Sequence, residues 1–138
     1  MARNIIDLPT LGDDGKLYRD TAVDMVESLI PNLWKSCHAP DLLELENGDL
    51  LCCWFAGSRE GNADISIAVA RLPADAEQWE QPVIVSDDPT RSEQNPSLFQ
   101  NPNGDIWLMY TAQAAKKPDD NSDDSLQGTA EIRRITLP

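Results

Sequence analysis

The sequence predicts an all-β chain of about two four-stranded antiparallel blades, standing side by side as part of a β-propeller. Two observations carry this. The chain repeats itself at a shift of 56 residues without a gap, so that Ala39-Pro40-Asp41-Leu42-Leu43 falls on Asn95-Pro96-Ser97-Leu98-Phe99. Each copy then places Asn-Gly-Asp (47–49 and 103–105) between two apolar runs. Four-stranded units recurring at such a period describe propeller blades. A β-sandwich accounts for the strands but not for a long-range repeat with identical turns.

Residues 1–35 carry no copy of the repeat. Within them Thr21 to Ile30 mixes Val23, Met25, Val26, Leu29 and Ile30, which fits helix or strand. The favoured reading is a lead segment whose strand closes the last blade. Residues 36–90 form the first blade. Leu42 to Leu45 and Leu50 to Phe55 flank Asn47-Gly48, a pair suited to a type I′ turn, and the second run is apolar throughout, as in a strand covered on both faces. Ile65, Ile67 and Val69 alternate with Asp64, Ser66 and Ala68, a third strand with its β-branched residues on one face. Leu72 to Trp79 reads as a turn closed by an aromatic, and Pro82 to Val85 as a short edge strand. Residues 91–138 form a second, incomplete blade: Ile106 to Tyr110 repeats the apolar strand, and a third strand arrives only around Thr129 to Ile135. The connection from Gln113 to Gly128 is therefore long, and long irregular connections are functional or disordered.

The balance of 11 Lys+Arg against 24 Asp+Glu gives a net charge of −13. Nucleic-acid backbones and anionic membranes repel such a surface. Part of the excess is local, at Asp119, Asp120, Asp123 and Asp124, where a solvated loop is expected. No apolar run reaches the ~18 residues of a membrane span, and Met1 to Asn4 opens no secretory signal. Cys37, Cys52 and Cys53 make a poor disulfide framework, and with the single His38 they lack the spacing of a zinc site, so no metal and no cofactor is expected. These features point to a reducing, cytoplasmic compartment.

Cys37-His38-Ala39-Pro40, Asn47-Gly48-Asp49-Leu50, Trp54 to Ile65 and Gln94 to Phe99 closely resemble the bacterial-neuraminidase-repeat (sialidase-like, Asp-box) family over roughly residues 36–138. The resemblance implies a six-bladed ring of which this chain supplies two blades. The others would belong to the same longer polypeptide or to further copies, three two-blade chains making six. It also implies exo-acting glycoside hydrolysis with a carbohydrate substrate, a loop aspartate as general acid/base and an arginine clamp for a substrate carboxylate, outside the two-carboxylate scheme. Carried over by position, Arg59 resembles a pocket arginine, Asp64 the acid/base aspartate, and Asn95-Pro96 a pocket-facing strand start. His38 replaces the leading arginine of the clamp, and Leu72 to Trp79 keeps little of the Asp-box beyond Trp79.

In a blade, the start of the first strand and the connection after the second lie at one end. His38, Ser58 to Asp64, Asn95 and the 113–128 connection therefore converge on one mouth. Asp64 and His38 are the catalytic candidates there, and Arg59, Glu60 and Asn95 the substrate-binding ones. Arg91 and Glu93, in the connection before Asn95, lie within reach. Each has a plainer reading: Asp64 as a loop cap, Arg59 and Glu60 as a solvated turn, His38 as a rim histidine, and Trp34, Trp54 and Trp107 as core. The expected function is a sialidase-like exo-glycosidase whose two blades are inactive alone. The alternatives are a non-catalytic carbohydrate-binding or protein-interaction propeller, or a propeller polysaccharide lyase.

Overall fold

The computed structural model describes residues 6–7, 12–122 and 124–138. The opening Met1 to Asn4 and Asp123 of the acidic stretch lie outside them. Among the described residues the regular elements are β-strands, apart from one 3₁₀ turn.

A lead segment holds three short strands, β1 (Ile6–Asp7), β2 (Tyr18–Asp20) and β3 (Met25–Glu27), with β1 parallel and β3 antiparallel to β2. Next comes an antiparallel sheet in sequential order: β4 (Ser36–Glu44), β5 (Leu50–Gly57), β6 (Ser66–Leu72) and the two-residue edge β7 (Val83–Ile84). The second sheet holds β8 (Arg91–Gln100), β9 (Ile106–Ala114) and β10 (Glu131–Leu137), with the 3₁₀ turn Gln127–Thr129 leading into β10. Arg91 and Glu93, expected in a connection, are therefore ladder residues of β8. The extended pairing of Arg91 with Ala114 and of Glu93 with Ala112 carries them into the sheet.

The sequence repeat is a backbone repeat. The β4–β5 ladder slips between His38 and Asp41, and the β8–β9 ladder slips between Gln94 and Ser97, 56 residues on. Inside these matching bulges Ala39 and Asn95 take φ of 53° and 51°, although each precedes a proline. The hairpin tips match as well. Gly48 N–H donates to Leu45 O and Leu45 N–H to Asp49 O; Gly104 and Asn101 make the same pair of bonds. Only the glycine of each Asn-Gly has positive φ. The tips are therefore three-residue loops closed by a bulge glycine, not the expected type I′ turns, which need positive φ at both central residues. The extra residue is accommodated because Asn47 and Asn101 cap the turns, Asn47 Oδ1 accepting from Asp49 N–H and Asn101 Oδ1 from Asn103 and Asp105 N–H.

The two sheets pack face to face. Leu51, Cys53, Phe55, Ile65, Ile67 and Val69 of the first meet Leu98, Leu108, Tyr110 and Ala112 of the second. The innermost strands are tied directly: Asp41 Oδ2 accepts from Leu98 N–H at 2.7 Å and from Ser97 Oγ at 3.2 Å. The opposite face of the first sheet (Cys52, Trp54, Ala68, Ala70 and Leu72) is covered by Leu17, Ile30 and Trp34 of the lead segment and by Trp79. Trp79 donates from Nε1 to Ser28 Oγ, and its N–H donates to Gly15 O. Being covered on both faces is why β5 is buried at every residue after Leu50. It also leaves Cys52 and Cys53 in apolar surroundings, which push their thiols up to about 11 and about 12.

Candidate functional site

The ladders place four segments at one end of the sheet pair. Ser36 opposes Gly57, so β4 begins beside the β5–β6 connection. Arg91 opposes Ala114, so β8 begins beside the long β9–β10 connection. The hairpin tips 45–49 and 101–105 lie at the other end.

The β5–β6 connection is braced from within. Ser58 donates to Asp64 twice, from N–H to Oδ2 at 3.1 Å and from Oγ to Oδ1 at 2.8 Å, while Asn62 Nδ2 donates to Ser58 Oγ. Its tip is clasped by the longer connection: Lys116 N–H donates to Gly61 O at 2.8 Å. Gly61 has φ +91°, and a Cβ there would lie 3.2 Å from the Lys116 stem, so glycine suits both the conformation and the contact. Lys116 Nζ in turn donates to Ser122 O at 2.7 Å, and Ala114 N–H donates to Thr129 Oγ1 at the return into β10. The long connection thus folds back over the mouth.

Between the two connections lies an open cleft of ≈ 340 Å³. Arg59, Glu60 and Gly61 line one side, Gln94 and Gln113 the floor, and Lys116 with the Asp124–Gln127 stretch the other. Most of the lining is polar. A smaller, apolar hollow, with Trp54 among its walls, lies between the lead segment and β4–β5.

The sequence candidates separate in this geometry. Arg59 and Glu60 line the cleft. His38 stands beside it: its Nδ1 is 3.8 Å from Glu60 Oε2, its ring lies tilted against Phe55, and it borders the apolar hollow. Asp64 is turned into its own loop, both carboxylate oxygens engaged by Ser58. Asn95 sits at the β8 bulge, where its Nδ2 reaches Thr111 Oγ1 at 3.5 Å. Arg91 donates to Ala112 O and pairs with Glu131. Glu93, only 1% exposed, is packed between the sheets: Ser86 Oγ donates to its Oε2 at 2.6 Å and itself accepts from Ile67 N–H. Burial, and then Glu93, push the Tyr110 hydroxyl upward. This buried group fastens the crossover between the sheets and lies apart from the cleft lining.

Gln94, Gln113 and Lys116 were not among the sequence candidates. The signals were the length of the connection that Gln113 opens, for Gln113 and Lys116, and for Gln94 its place at the head of the Gln94 to Phe99 motif. Among the described residues no three His, Cys, Asp or Glu side chains are grouped to hold a metal, and no helix is long and apolar enough to cross a membrane.

A family model for the BNR repeat-like domain matches residues 48–130, more than half of the chain. The chain belongs to the BNR repeat-like family. Its matched region begins within the first hairpin tip and includes the second tip, the β5–β6 connection and the long connection. Among solved structures, this BNR repeat-like chain is similar to the alpha-L-arabinofuranosidase from Lactobacillus brevis, with a TM-score of 0.54 and 13% identity over 81% of this chain and 38% of that one. It also matches Trypanosoma rangeli sialidase in complex with sialic acid, with a TM-score of 0.46 and 11% identity over 96% of this chain and 24% of that one. The chain therefore spans well under half the length of either. No curated protein matches it. At such identity the first likeness carries the fold alone, that of a partial β-propeller.

Proposed function

We propose that the mouth cleft binds a terminal sugar and that the complete protein is a sialidase-like glycoside hydrolase. One observation carries this: polar side chains from both sheets converge on a single cleft at the end where the inter-strand connections meet. Family membership supports the class of chemistry. In this reading Arg59 and Glu60 hold the sugar, Asn95 extends the binding surface beyond the bulge, and His38 orients Glu60. Asp64 acts as general acid/base, leaving Ser58 when substrate arrives.

Further blades complete the ring, from the same polypeptide or from other copies. The repeat supports this. Leu43, Leu51 and Cys53, which the second sheet covers, correspond to Phe99, Trp107 and Met109 on the face of the second sheet that stands open. In that account residues 36–90 and 91–138 are successive blades and residues 1–35 a lead segment.

A second reading, a non-catalytic carbohydrate-binding propeller, draws on the engagement of both Asp64 oxygens by Ser58. The two separate in the ring-complete protein with Asp64→Asn. The hydrolase reading expects turnover of aryl glycosides to fall about 100-fold or more while sugar binding persists. Unchanged turnover overturns the assignment of Asp64.

A further inference from the structure

We propose that the cleft takes an uncharged, hydroxyl-rich sugar ring and that Gln113 is the residue that reads it; this rests on the carbohydrate reading above. Gln113 is only 7% exposed and lines the cleft floor. Its backbone is spent in the ladder opposite Ser92. Its side-chain amide has no hydrogen-bond partner among the described residues. No fully buried side-chain nitrogen or oxygen among those residues lacks a partner. The Gln113 amide is therefore left over because it opens onto the cleft. A glutamine held there by packing offers one acceptor and a donor pair, the complement of neighbouring hydroxyls. Gln94 stands beside it on the floor. One Nε2 hydrogen goes to Ser92 Oγ at 2.9 Å, and Oε1 can accept from a further hydroxyl.

The charges around the floor argue against an anionic sugar. The cations at the cleft are Arg59 and Lys116, and both have anionic or carbonyl company. Lys116 Nζ is bound to Ser122 O. Asp120 is held below the usual carboxylate range by the Ser122 side chain first, then by the Ser122 N–H, and further by Lys116 and Arg59. Glu60 and Asp124 line the cleft itself. A carboxylate or sulfate entering here meets more negative charge than positive, on a chain of net −13. A buried amide that fails to find its hydroxyls stays unpaired at a cost, which is how such a site discriminates.

The test is calorimetric titration of the full 138-residue chain. The probes are methyl glycosides of neutral pentoses and hexoses on one side, and of glucuronic and N-acetylneuraminic acids on the other. Neutral glycosides are expected to bind, and the acidic ones at least about tenfold more weakly. Gln113→Leu keeps the volume and the strand pairing and is expected to weaken neutral binding about tenfold. If that variant fails to fold, Gln94→Leu is expected to weaken the same binding. Equal or tighter binding of the acidic glycosides overturns the inference and leaves the carbohydrate reading standing. Undiminished neutral binding by Gln113→Leu, or by Gln94→Leu in its place, does the same. Binding of neither class removes the carbohydrate reading, and this inference with it.

Discussion

Cys53 and Met109 occupy the same place in the two copies of the repeat, yet Cys53 is fully buried and Met109 is 41% exposed. Their strands run through equivalent hairpins, behind equivalent bulges, with equivalent hydrogen bonds at the tips. The first sheet has a neighbour on each side, the lead segment and the second sheet. The second sheet has one. Its free face carries Phe99 and Met109 in the open, with Trp107 6.0 Å from Phe99 and the Arg134 guanidinium 4.5 Å over the Trp107 ring. Repetition in the sequence therefore specifies the backbone, whereas burial is specified by whatever stands next to each copy.

The sharpest way to break that comparison is to place a charge at both positions. Cys53→Asp buries an unpaired carboxylate between the sheets and is expected to cost about 3 kcal/mol or more, enough to unfold much of the chain. Met109→Asp is expected to stay within about 0.5 kcal/mol of the parent. Urea unfolding followed by tryptophan fluorescence measures both. A Met109→Asp protein as damaged as Cys53→Asp would mean that the second sheet's face is covered after all.

A smaller effect sharpens the comparison at the tips. Gly48 and Gly104 share a positive φ, but a Cβ on Gly48 would sit 3.3 Å from Ala74 Cβ, while one on Gly104 would meet nothing within 4 Å. Gly104→Ala isolates the backbone cost of a left-handed alanine, about 1 kcal/mol. Gly48→Ala adds crowding and is expected to lose more, read from urea midpoints. Equal losses would place the whole cost in the backbone.

The repeat made the sheets and their stacking legible, because Pro40/Pro96 and the Asn-Gly-Asp triplets mark the same points in each copy. The turn type was not legible. Asn-Gly favours a two-residue loop, and only the capping by Asn47 and Asn101 selects the longer one. Nor was the positive φ at Ala39 and Asn95, since a following proline biases a residue towards extended backbone. At the site, the end of the sheet pair where the connections meet could be read from the repeat, and with it the place of Arg59 and Glu60 on the cleft wall. The fate of Asp64 could not, because Ser58 lies six residues away and its claim on the carboxylate depends on how the loop closes. Gln113 escaped for a related reason. A glutamine at a strand end is ordinary until another segment folds over it.

The smallest effect, and one that depends on pH, is expected from the carboxylate–arginine pairs, one to each sheet. In the first, Asp49 is held below its ordinary range chiefly by Arg71, which donates from Nε at 2.9 Å, and by the Ala74 N–H. In the second, the side chain of Thr90, then its N–H, then Arg133 hold Asp88 down to about 2. A carboxyl depressed in the folded state contributes stability that is complete above its unfolded value, about 4, and is lost as the pH falls through the folded one. The chain should therefore lose stability steadily from about pH 4 towards pH 2. Asp88→Asn and Asp49→Asn should each flatten that decline, because they lower the melting temperature at pH 7, by less than the core substitution does, and leave it little changed near pH 2. Melting curves between these limits measure the slope. Variants whose acid decline matches the parent's would show that neither pair senses the proton.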